Sequence, residues 1–355
     1  MILVYISRIK IYLNHMVNKI FGFPYNGIAY VDSLYKEIEK KGVSVEPGYF
    51  YGKWIIKNVT KNDVVHFHWP SFYYAVNDNK FKFVFNFFRF IFLLILLYFK
   101  SNSIWWTAHN LMPHKKSCLS CFDYIGRIIV ILVSKKIFVH SLSANEILIN
   151  KFKLARYKTY IIPHGHWVDH YPRCSHGFDP RNVLNLPNDK FIFLLFGQCL
   201  PYKNLIFLVE TFLEWAGPDD FLLIAGNFPD KNYYSKTLSI INNDLRIRID
   251  NRYIPDELVS CYFESSNAFC IPYKEILTSG SAMLALSFGI PVLSVKMGFL
   301  VDIVTDEVGV LVRPDDQNDL KRGFFSIKNK QWSNISIIDY AKRYSFEESA
   351  NIMLS

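Results

Sequence analysis

Apolar runs of strand length alternate with segments of helical apolar periodicity along the first half of the chain. The predicted strands are residues 2–6, 64–67, 104–107, 136–139 and 159–162, and the predicted helices are residues 30–41, 83–99, 124–132 and 144–152. Strands and helices that alternate with short loops are typical of a parallel sheet whose two faces are covered by helices. The first half is therefore predicted to be an α/β domain.

The alternation stops between His166 and Asp189, where Pro, His, Gly and Asn interrupt every period. It then resumes, with predicted strands at 191–196, 221–225, 245–249, 268–271, 292–295 and near 308–312, and helices at 204–215, 256–264 and 281–288. Two successive domains of this kind predict an α/β fold of two Rossmann-like domains that face a central cleft, where ligands bind. The predicted boundaries are 1–170 for the first domain, 171–188 for a linker, 189–340 for the second domain and 341–355 for a C-terminal helix.

The most apolar run, residues 83–99, raises the question of a membrane span. It is shorter than the roughly 20 residues that a span needs, and it contains Asn86 and Arg89. We interpret it as a helix of the α/β domain whose apolar surface lies against a bilayer, with Lys82, Arg89 and Lys100 around it; a true span is the alternative. At the N-terminus, Arg8 and Lys10 interrupt the apolar run, which favours a buried strand over a secretory signal.

Composition narrows the class of protein. Of the 355 residues 51% are hydrophobic and 20% charged, a balance typical of folded proteins rather than disordered ones. The net charge of +9 suits an anionic membrane or a phosphate-bearing substrate, and no motif of a nucleic-acid-binding module accompanies it. The six cysteines are predicted to be reduced cytosolic thiols. The Cys118–Cys121 pair lacks a second pair to complete a zinc site, so no metal is predicted.

Polar loops after two predicted strands of the second half suit a diphosphate. Thr278, Ser279, Gly280 and Ser281 follow one strand and open a helix, where free amides, hydroxyls and a glycine favour an anion. An ordinary serine N-cap is the alternative. Lys203, in the segment 196–204, follows another strand at the same predicted edge, and a solvated surface lysine is the alternative there.

Histidines and tryptophans cluster after the predicted strands of the first half. The side chains concerned are His66, His68, Trp69, His109, Asn110, His114, His140, His164 and Trp167. A zinc site would need ligands from four separate loops without a metal-binding spacing. We interpret the histidines as neutral groups that form hydrogen bonds or transfer protons, and the Trp69 and Trp167 rings as flat faces for sugars.

Five segments together resemble glycosyltransferases of the two-Rossmann-domain GT-B fold, in particular the large retaining family that builds bacterial capsule, O-antigen and exopolysaccharide. The segments are FPYNGIAYVDSLYKEIEKKGVSV, IIPHGHW, GQCLPYKN, SFGIPVLS and YSFEESANIML. The resemblance covers nearly the whole chain. It implies an acceptor-side first domain and a second domain that binds a nucleotide sugar.

The resemblance also implies roles for residues of the second domain. Lys203, in the turn that begins with Gly197, would contact the donor diphosphate, and Glu275 would contact the donor sugar. Gly280 and Ser281 would supply amides, beside the hydroxyls of Thr278 and Ser279. The sequence departs from the family pattern at Met283, where a second glutamate usually holds the ribose, and at Gln198, where the turn usually carries an arginine.

His109 is the leading candidate for a catalytic group beside the reacting carbon, and His114 is the second. His66, His68, Trp69, Asn110, His164 and Trp167 are assigned to the acceptor side. The expected function is hexosyl transfer from a nucleotide sugar to a polyprenyl-diphosphate-linked or growing glycan, by retention or inversion, without metal or cofactor. The expected location is peripheral, on the cytoplasmic face of the inner membrane. An inactive carbohydrate-binding scaffold and a nucleotide-sugar epimerase are the alternatives.

Overall fold

In a computed structural model, which describes residues 17, 19–75, 79–113, 120–174 and 179–355, the chain folds into two compact units. The first unit comprises the described residues up to 140 together with 145–163 and 346–355. The second comprises 141–144 and 164–345.

The first unit is built on six parallel strands in the order β2-β1-β3-β4-β5-β6. The strands are β1 (Lys19–Phe23), β2 (Ser44–Pro47), β3 (Asp63–Phe67), β4 (Ser103–Thr107), β5 (Ser134–Val139) and β6 (Thr159–Ile161). Its helices are α1 (Ala29–Lys40), α2 (Gly52–Asn58), α3 (Lys80–Lys100), α4 (Ser120–Val133) and α5 (Leu142–Lys151), with short 3-10 turns at Pro70–Tyr73 and Lys153–Ala155. The chain passes from β1 to β2 on one side and then crosses back from β2 to β3 on the other side of β1, so the topological switch point lies between β1 and β3.

The second unit has six parallel strands in the order β12-β11-β10-β7-β8-β9. They are β7 (Phe191–Phe196), β8 (Asp220–Ala225), β9 (Ile247–Asp250), β10 (Ala268–Ile271), β11 (Val292–Val295) and β12 (Gly309–Val312). The helices are α6 (Pro180–Val183), α7 (Leu205–Trp215), α8 (Lys231–Ile241), α9 (Asp256–Glu264), α10 (Gly280–Ser287), α11 (Phe299–Ile303), α12 (Gln317–Asn329) and α13 (Asn334–Ala341), with a 3-10 turn at Pro201–Lys203. This is the Rossmann strand order, with its switch point between β7 and β10.

The last helix, α14 (Phe346–Leu354), belongs to the first unit although it follows the second in the chain. Ser349 Oγ donates to the carbonyl of Pro163 at 2.6 Å, and Lys136 Nζ donates to the carbonyl of Met353 at 3.1 Å. The ring of Phe346 lies 5.4 Å from that of Tyr30. The predicted C-terminal helix, 341–355, thus begins at residue 346 and packs on the first unit.

The α/β fold with two Rossmann-like sheets is confirmed, with differences at particular elements. The first strand of the sheet is β1 at 19–23, whereas the strand predicted at 2–6 lies outside the described residues. The short elements β2 and α2 and the helices α8, α12 and α13 were not predicted. The second unit begins at His164, earlier than the predicted boundary of 170, because Trp167 N donates to Ser287 Oγ at 2.9 Å.

The segment predicted as a linker, 171–188, is fastened to the second unit. Arg181 of α6 donates to Asn267 Oδ1 at 2.8 Å and to the carbonyl of Ser265 at 3.1 Å. Cys174 is bonded to Cys261 of α9, so the expectation of six reduced thiols is wrong for this pair. The two cysteines are 87 residues apart in the chain, and nothing in their local sequence indicates the pairing.

The apolar run at 83–99 forms most of α3, which packs within the first unit as predicted. Asn79 begins the helix by accepting a hydrogen bond from Lys82 N at 3.0 Å. Phe83, Phe87, Phe90, Leu94 and Leu97 on one face are buried. By length and composition α3 is able to cross a membrane, with a mean hydropathy of 1.9, but the buried face is occupied by the unit's own core.

Candidate active site

The carboxyl ends of β7 and β10 meet at the switch point of the second unit, and the predicted donor residues follow these two strands. In open α/β sheets, ligands bind in the crevice at this position because the loops after the two strands diverge. Lys203 lies in the 3-10 turn after β7, and the segment 272–279 follows β10. The backbone joins the two loops, since Lys274 N donates to the carbonyl of Tyr202 at 2.8 Å.

Lys203 is buried at this edge. Its Nζ donates to the carbonyl of Phe196, the last residue of β7, at 2.9 Å and lies 5.5 Å from the centre of the Tyr273 ring. Burial lowers the pKa of the ammonium. A lysine has three donors, and a buried cation is favoured by an anion beside it. The position and burial of Lys203 disagree with the alternative of a solvated surface lysine.

Two glycines bring the loops after β7 and β8 into contact. Gly197 has a φ of +88° and Gly226 a φ of +147°, and a Cβ at Gly226 would lie 2.2 Å from the carbonyl oxygen of Gly197. Only a residue without a side chain permits this approach. The Lys203 Nζ lies 3.1 Å from where a Gly197 Cβ would be. Both glycines therefore shape the backbone that surrounds the ammonium.

Replacing Gly226 by alanine is expected to lower the free energy of unfolding by about 2 kcal/mol or more, because the new Cβ meets backbone and the φ is strained. Gly42→Ala is the matched control, since Gly42 also has a positive φ but no atom within 4 Å of its would-be Cβ. Its expected loss is about 1 kcal/mol. Thermal unfolding measures both; equal losses would contradict the role of the loop contact.

Hydroxyl groups surround the start of α10. Ser279 caps the helix by accepting a hydrogen bond from Ala282 N at 3.2 Å, and its Oγ lies 3.1 Å from Ser281 Oγ. Ser281 also contacts the hydroxyl of Tyr273 at 3.3 Å. Thr278 Oγ1 is buried and has no hydrogen-bond partner among the described residues. The serine N-cap is therefore real, and the unpartnered Thr278 hydroxyl beside it favours a ligand as well.

His164 and Trp167 belong to the second unit, where they lie beside Gly280 of the predicted donor loop. A Cβ on Gly280 would lie 3.0 Å from Trp167 Cη2 and 3.6 Å from His164 Nε2. Their placement in the first domain was wrong, because the chain enters the second unit at His164 and the bare Gly280 allows both rings to approach α10. Burial lowers the pKa of His164 to about 4, and its Nδ1 pairs with the carbonyl of Gly165 at 3.0 Å.

Glu275 is exposed in the loop between β10 and α10, three residues before Thr278. Met283, which stands where the resemblance leads us to expect a ribose-binding glutamate, is fully buried in α10. Its thioether packs in the core and offers no carboxylate. Any ribose contact of this protein must therefore come from another residue.

In the first unit, five side chains form a continuous hydrogen-bonded chain across the sheet. Thr107 Oγ1 pairs with His66 Nε2 at 2.8 Å, and His66 Nδ1 pairs with the hydroxyl of Tyr35 at 3.1 Å. The same hydroxyl pairs with His68 Nε2 at 3.0 Å, and His68 Nδ1 pairs with His109 Nε2 at 3.0 Å. The strand ends at β3 and β4 supply the histidines, and α1 supplies the tyrosine.

Burial keeps His66 and His68 neutral. It lowers the pKa of His66 to about 3 and holds the pKa of His68 well below its usual range, with the neighbouring histidines adding to the effect. In a neutral chain each imidazole donates at one nitrogen and accepts at the other, so the tautomers of the three rings are coupled through Tyr35. His109, which is half-buried, ends the chain at the carboxyl edge of the sheet.

The ring of Trp69 stacks on His109 at 4.4 Å and on Phe72 at 5.7 Å. It therefore supports His109, and the contact of Trp69 with a sugar stays a prediction. Asn110 is half-buried next to His109, and His140 is buried near Tyr30. His114, the second catalytic candidate, lies outside the described residues.

Sequence reasoning missed Tyr35, Tyr273 and Gly226. Tyr35 lies on the buried side of α1 with Val31, Leu34 and Ile38, where the pattern indicates a core residue. Gly226 directly follows β8 and Tyr273 is the second residue after β10, and these positions were an available signal. Within the described ranges, no group of three His, Cys, Asp or Glu side chains is arranged to hold a metal ion.

Residues 179–344 match the family model for Glycosyl transferases group 1. A GDP-mannose:glycolipid 4-beta-D-mannosyltransferase of Xanthomonas campestris pv. campestris is 25% identical over 267 residues, which are 75% of this chain and 69% of that protein.

Solved structures share the fold. One is HepE of Anabaena in complex with UDP and glucose, with a TM-score of 0.68, 13% identity and coverage of 96% of this chain and 97% of that one. Another is the sucrose-phosphate synthase of Thermosynechococcus elongatus, with a TM-score of 0.60, 19% identity and coverage of 81% and 68%. At these identities the likeness concerns the fold.

Proposed function

We propose that the chain is a hexosyltransferase of the GT-B fold, which transfers a hexose from a nucleoside-diphosphate sugar to a hydroxyl of a polyprenyl-diphosphate-linked glycan. The product would be a bacterial surface polysaccharide such as capsule or O-antigen. One observation carries the donor part of this proposal, namely that Tyr273 lies between Lys203 and the start of α10 at the switch point of the second unit. The Lys203 ammonium is 5.5 Å from the Tyr273 ring, and the Tyr273 hydroxyl is 3.3 Å from Ser281 Oγ. A buried cation, hydroxyls and helix amides are the groups that bind a diphosphate.

GDP-mannose is the donor to test first. The name of the Xanthomonas relative specifies GDP-mannose, a glycolipid and a β linkage, whereas the HepE structure contains UDP and glucose. We expect donor hydrolysis and transfer to be fastest with GDP-mannose when GDP-, UDP- and dTDP-sugars are compared. Faster turnover of a UDP-sugar would reassign the donor, and recovery of an isomerised donor would support the epimerase instead.

Glu275 is assigned to the hydroxyls of the donor sugar. Glu275→Gln is expected to weaken use of the sugar nucleotide by roughly ten- to a hundredfold, the range for one charged hydrogen bond, while the bare nucleoside diphosphate binds as before. Calorimetric titration of both ligands measures the difference. Glu307→Gln, which removes an exposed carboxylate of the same unit, is the control. Equal loss of both affinities would instead place Glu275 in the nucleotide pocket.

A scaffold that binds carbohydrate without catalysis is the second candidate, and the buried Met283 favours it. A missing ribose contact would weaken donor binding, and the protein would then keep its fold without catalysing sugar transfer. The two functions separate on slow donor hydrolysis, which a transferase retains in the absence of acceptor and a scaffold lacks.

We place the reaction at the cytoplasmic face of the inner membrane, with the protein bound peripherally. The buried face of α3 supports this, because a helix that also forms the core of the first unit must unpack before it can span a bilayer. Alkaline carbonate is expected to release the protein from isolated membranes, as measured by immunoblotting of the pellet and supernatant. Retention in the pellet would indicate a true span.

A further inference from the structure

We infer that the outer surface of α3 and α4 docks on an anionic lipid bilayer, and that a basic cavity at the C-terminal ends of these helices binds the phosphate of a lipid headgroup. The inference rests on the peripheral membrane location proposed above and adds which surface makes the contact and which lipids it selects. Its tests measure lipid binding without donor or acceptor. Sugar transfer and membrane docking can therefore fail separately.

One side of α3 carries a stripe of exposed apolar side chains at spacings of four and three residues. The stripe consists of Phe81, Phe85, Phe88, Phe92, Ile95 and Phe99. This spacing keeps all six on one face of the helix, opposite the face that packs in the core. Exposed apolar surface of this size on a soluble protein marks a site of interaction with a membrane or a partner.

The stripe continues onto α4. The two helices pack side by side, with the Phe87 and Phe122 rings 4.8 Å apart and Gly126 against Phe87. Ile125 and Leu132 are exposed on α4. A two-helix apolar surface with aromatic side chains matches the boundary between lipid headgroups and acyl chains.

The charge around this surface selects lipid as its occupant. α3 carries Lys80, Lys82, Arg89 and Lys100 and has no aspartate or glutamate. The single acid of α3 and α4 is Asp123, and it is buried. A second copy of the chain would bring the same positive charge to the contact, whereas anionic lipids complement it.

A cavity of about 530 Å³ lies where the two helices end. Phe99 and Leu132 continue the apolar surface into it, and Lys61, Lys135 and Lys158 line it from the sheet side. Lys158 Nζ caps α4 by donating to the carbonyls of Ile131 and Leu132 at 2.9 and 2.8 Å. Three ammonium groups beside an apolar wall suit a phosphate that is joined to acyl chains.

The cavity is separate from the candidate active site of the first unit. It is lined by Ser103 and Ser134, the first residues of β4 and β5, and so lies at the amino edge of the sheet. His109 follows the carboxyl end of β4, at the opposite edge. Variants in the cavity thus leave the hydrogen-bonded histidine chain intact.

Vesicle flotation of the full chain tests the docking. We expect at least a tenfold preference for vesicles in which about a third of the phosphatidylcholine is replaced by phosphatidylglycerol, and loss of the preference at high salt. Equal binding to neutral and anionic vesicles would overturn the assignment of an anionic bilayer.

The apolar stripe is tested by Phe85→Ser combined with Phe92→Ser, with Phe325→Ser as the control. The three rings are exposed to 69%, 64% and 62%, so none of the changes should affect folding, as thermal unfolding will verify. The double variant is expected to bind anionic vesicles at least tenfold more weakly, and the control to bind like the native protein. Unchanged lipid binding would overturn the proposal. It would also be overturned if the native protein sedimented as a dimer and the double variant, but not the control, sedimented as a monomer.

The cavity is tested by Lys61→Gln combined with Lys135→Gln, which spares the helix cap made by Lys158. The control is Lys231→Gln with Lys236→Gln on α8, which removes the same charge from exposed positions of the second unit. Roughly tenfold weaker binding to anionic vesicles is expected for the cavity variant, and about twofold or less for the control. Equal losses of vesicle binding in the cavity variant and the control would show that the cavity lysines contribute only through the overall charge, and would overturn the role of the cavity as a headgroup site.

Discussion

Lys203→Ala is expected to lower the rate of sugar transfer by roughly ten- to a thousandfold, the range for loss of one group that stabilises developing charge. As the bond between the donor sugar and the nucleoside diphosphate breaks, negative charge grows on the nucleoside diphosphate. The Lys203 ammonium is held at the end of β7 by its hydrogen bond to the carbonyl of Phe196, and the Tyr273 ring of the loop after β10 lies 5.5 Å from it. Because the group is already buried and oriented, little reorganisation is needed when the charge appears. Steady-state kinetics with a saturating acceptor measures the effect.

The control for this variant is Lys274→Ala. Lys274 is the other lysine of the site, its side chain is exposed, and it makes its contact with Tyr202 through the backbone. The Lys274→Ala variant therefore loses the same charge but keeps the buried ammonium of Lys203. Its turnover is expected to change by about threefold or less. A folded Lys203→Ala variant with native turnover would remove Lys203 from the mechanism.

His109→Ala is expected to lower transfer by roughly a hundred- to ten-thousandfold while donor hydrolysis continues, if the imidazole takes the proton of the acceptor hydroxyl. A transfer that inverts the anomeric carbon needs such a base, whereas a retaining transfer does not. Analysis of the product anomer, run beside both rates, completes the test. Loss of both rates would place His109 on the donor sugar, and no change in either would leave it as a packing residue.

Tyr35→Phe distinguishes the role of the hydrogen-bonded histidine chain from that of His109 at its end. The variant keeps the ring on α1 but removes the hydroxyl that joins His66 to His68. If His109 acts through an orientation fixed by its neighbours, transfer is expected to fall by about tenfold, less than in His109→Ala. His114→Ala, tested in parallel, examines the second candidate.

Local pattern was enough to predict most of the fold. The predicted strand 191–196, helix 256–264 and strands 268–271 and 292–295 coincide with β7, α9, β10 and β11. Apolar period reports which side of an element is buried, and burial is the main physical determinant of these elements. The elements that were missed are short or amphipathic with many polar residues, such as β2 and α12, and their signal is correspondingly weak.

The candidate donor site was predicted in outline for the same reason. Loops that follow parallel strands reach one edge of a sheet, so Lys203 and Ser279 could be placed together without knowledge of a contact. The sequence did not indicate that Tyr273 lies between them, because side-chain packing after a strand depends on the facing loop.

By itself, then, the sequence determined the alternation of strands and helices, the two α/β sheets and the polar loops at their carboxyl edges, since each follows from periodicity within a short window. Only the tertiary structure decided which distant groups meet. The Tyr35 hydroxyl joins histidines 31 and 33 residues away, Cys174 bonds a cysteine 87 residues away, and α14 returns to the first unit. The apolar periodicity of a segment indicates that one of its faces is buried, but it does not specify which element packs against that face. The packing and hydrogen-bonding partners of each side chain are selected by shape and hydrogen bonding once the sheets have formed. That selection joins the histidines through hydrogen bonds and places His164 and Trp167 in the second unit rather than in the predicted first domain.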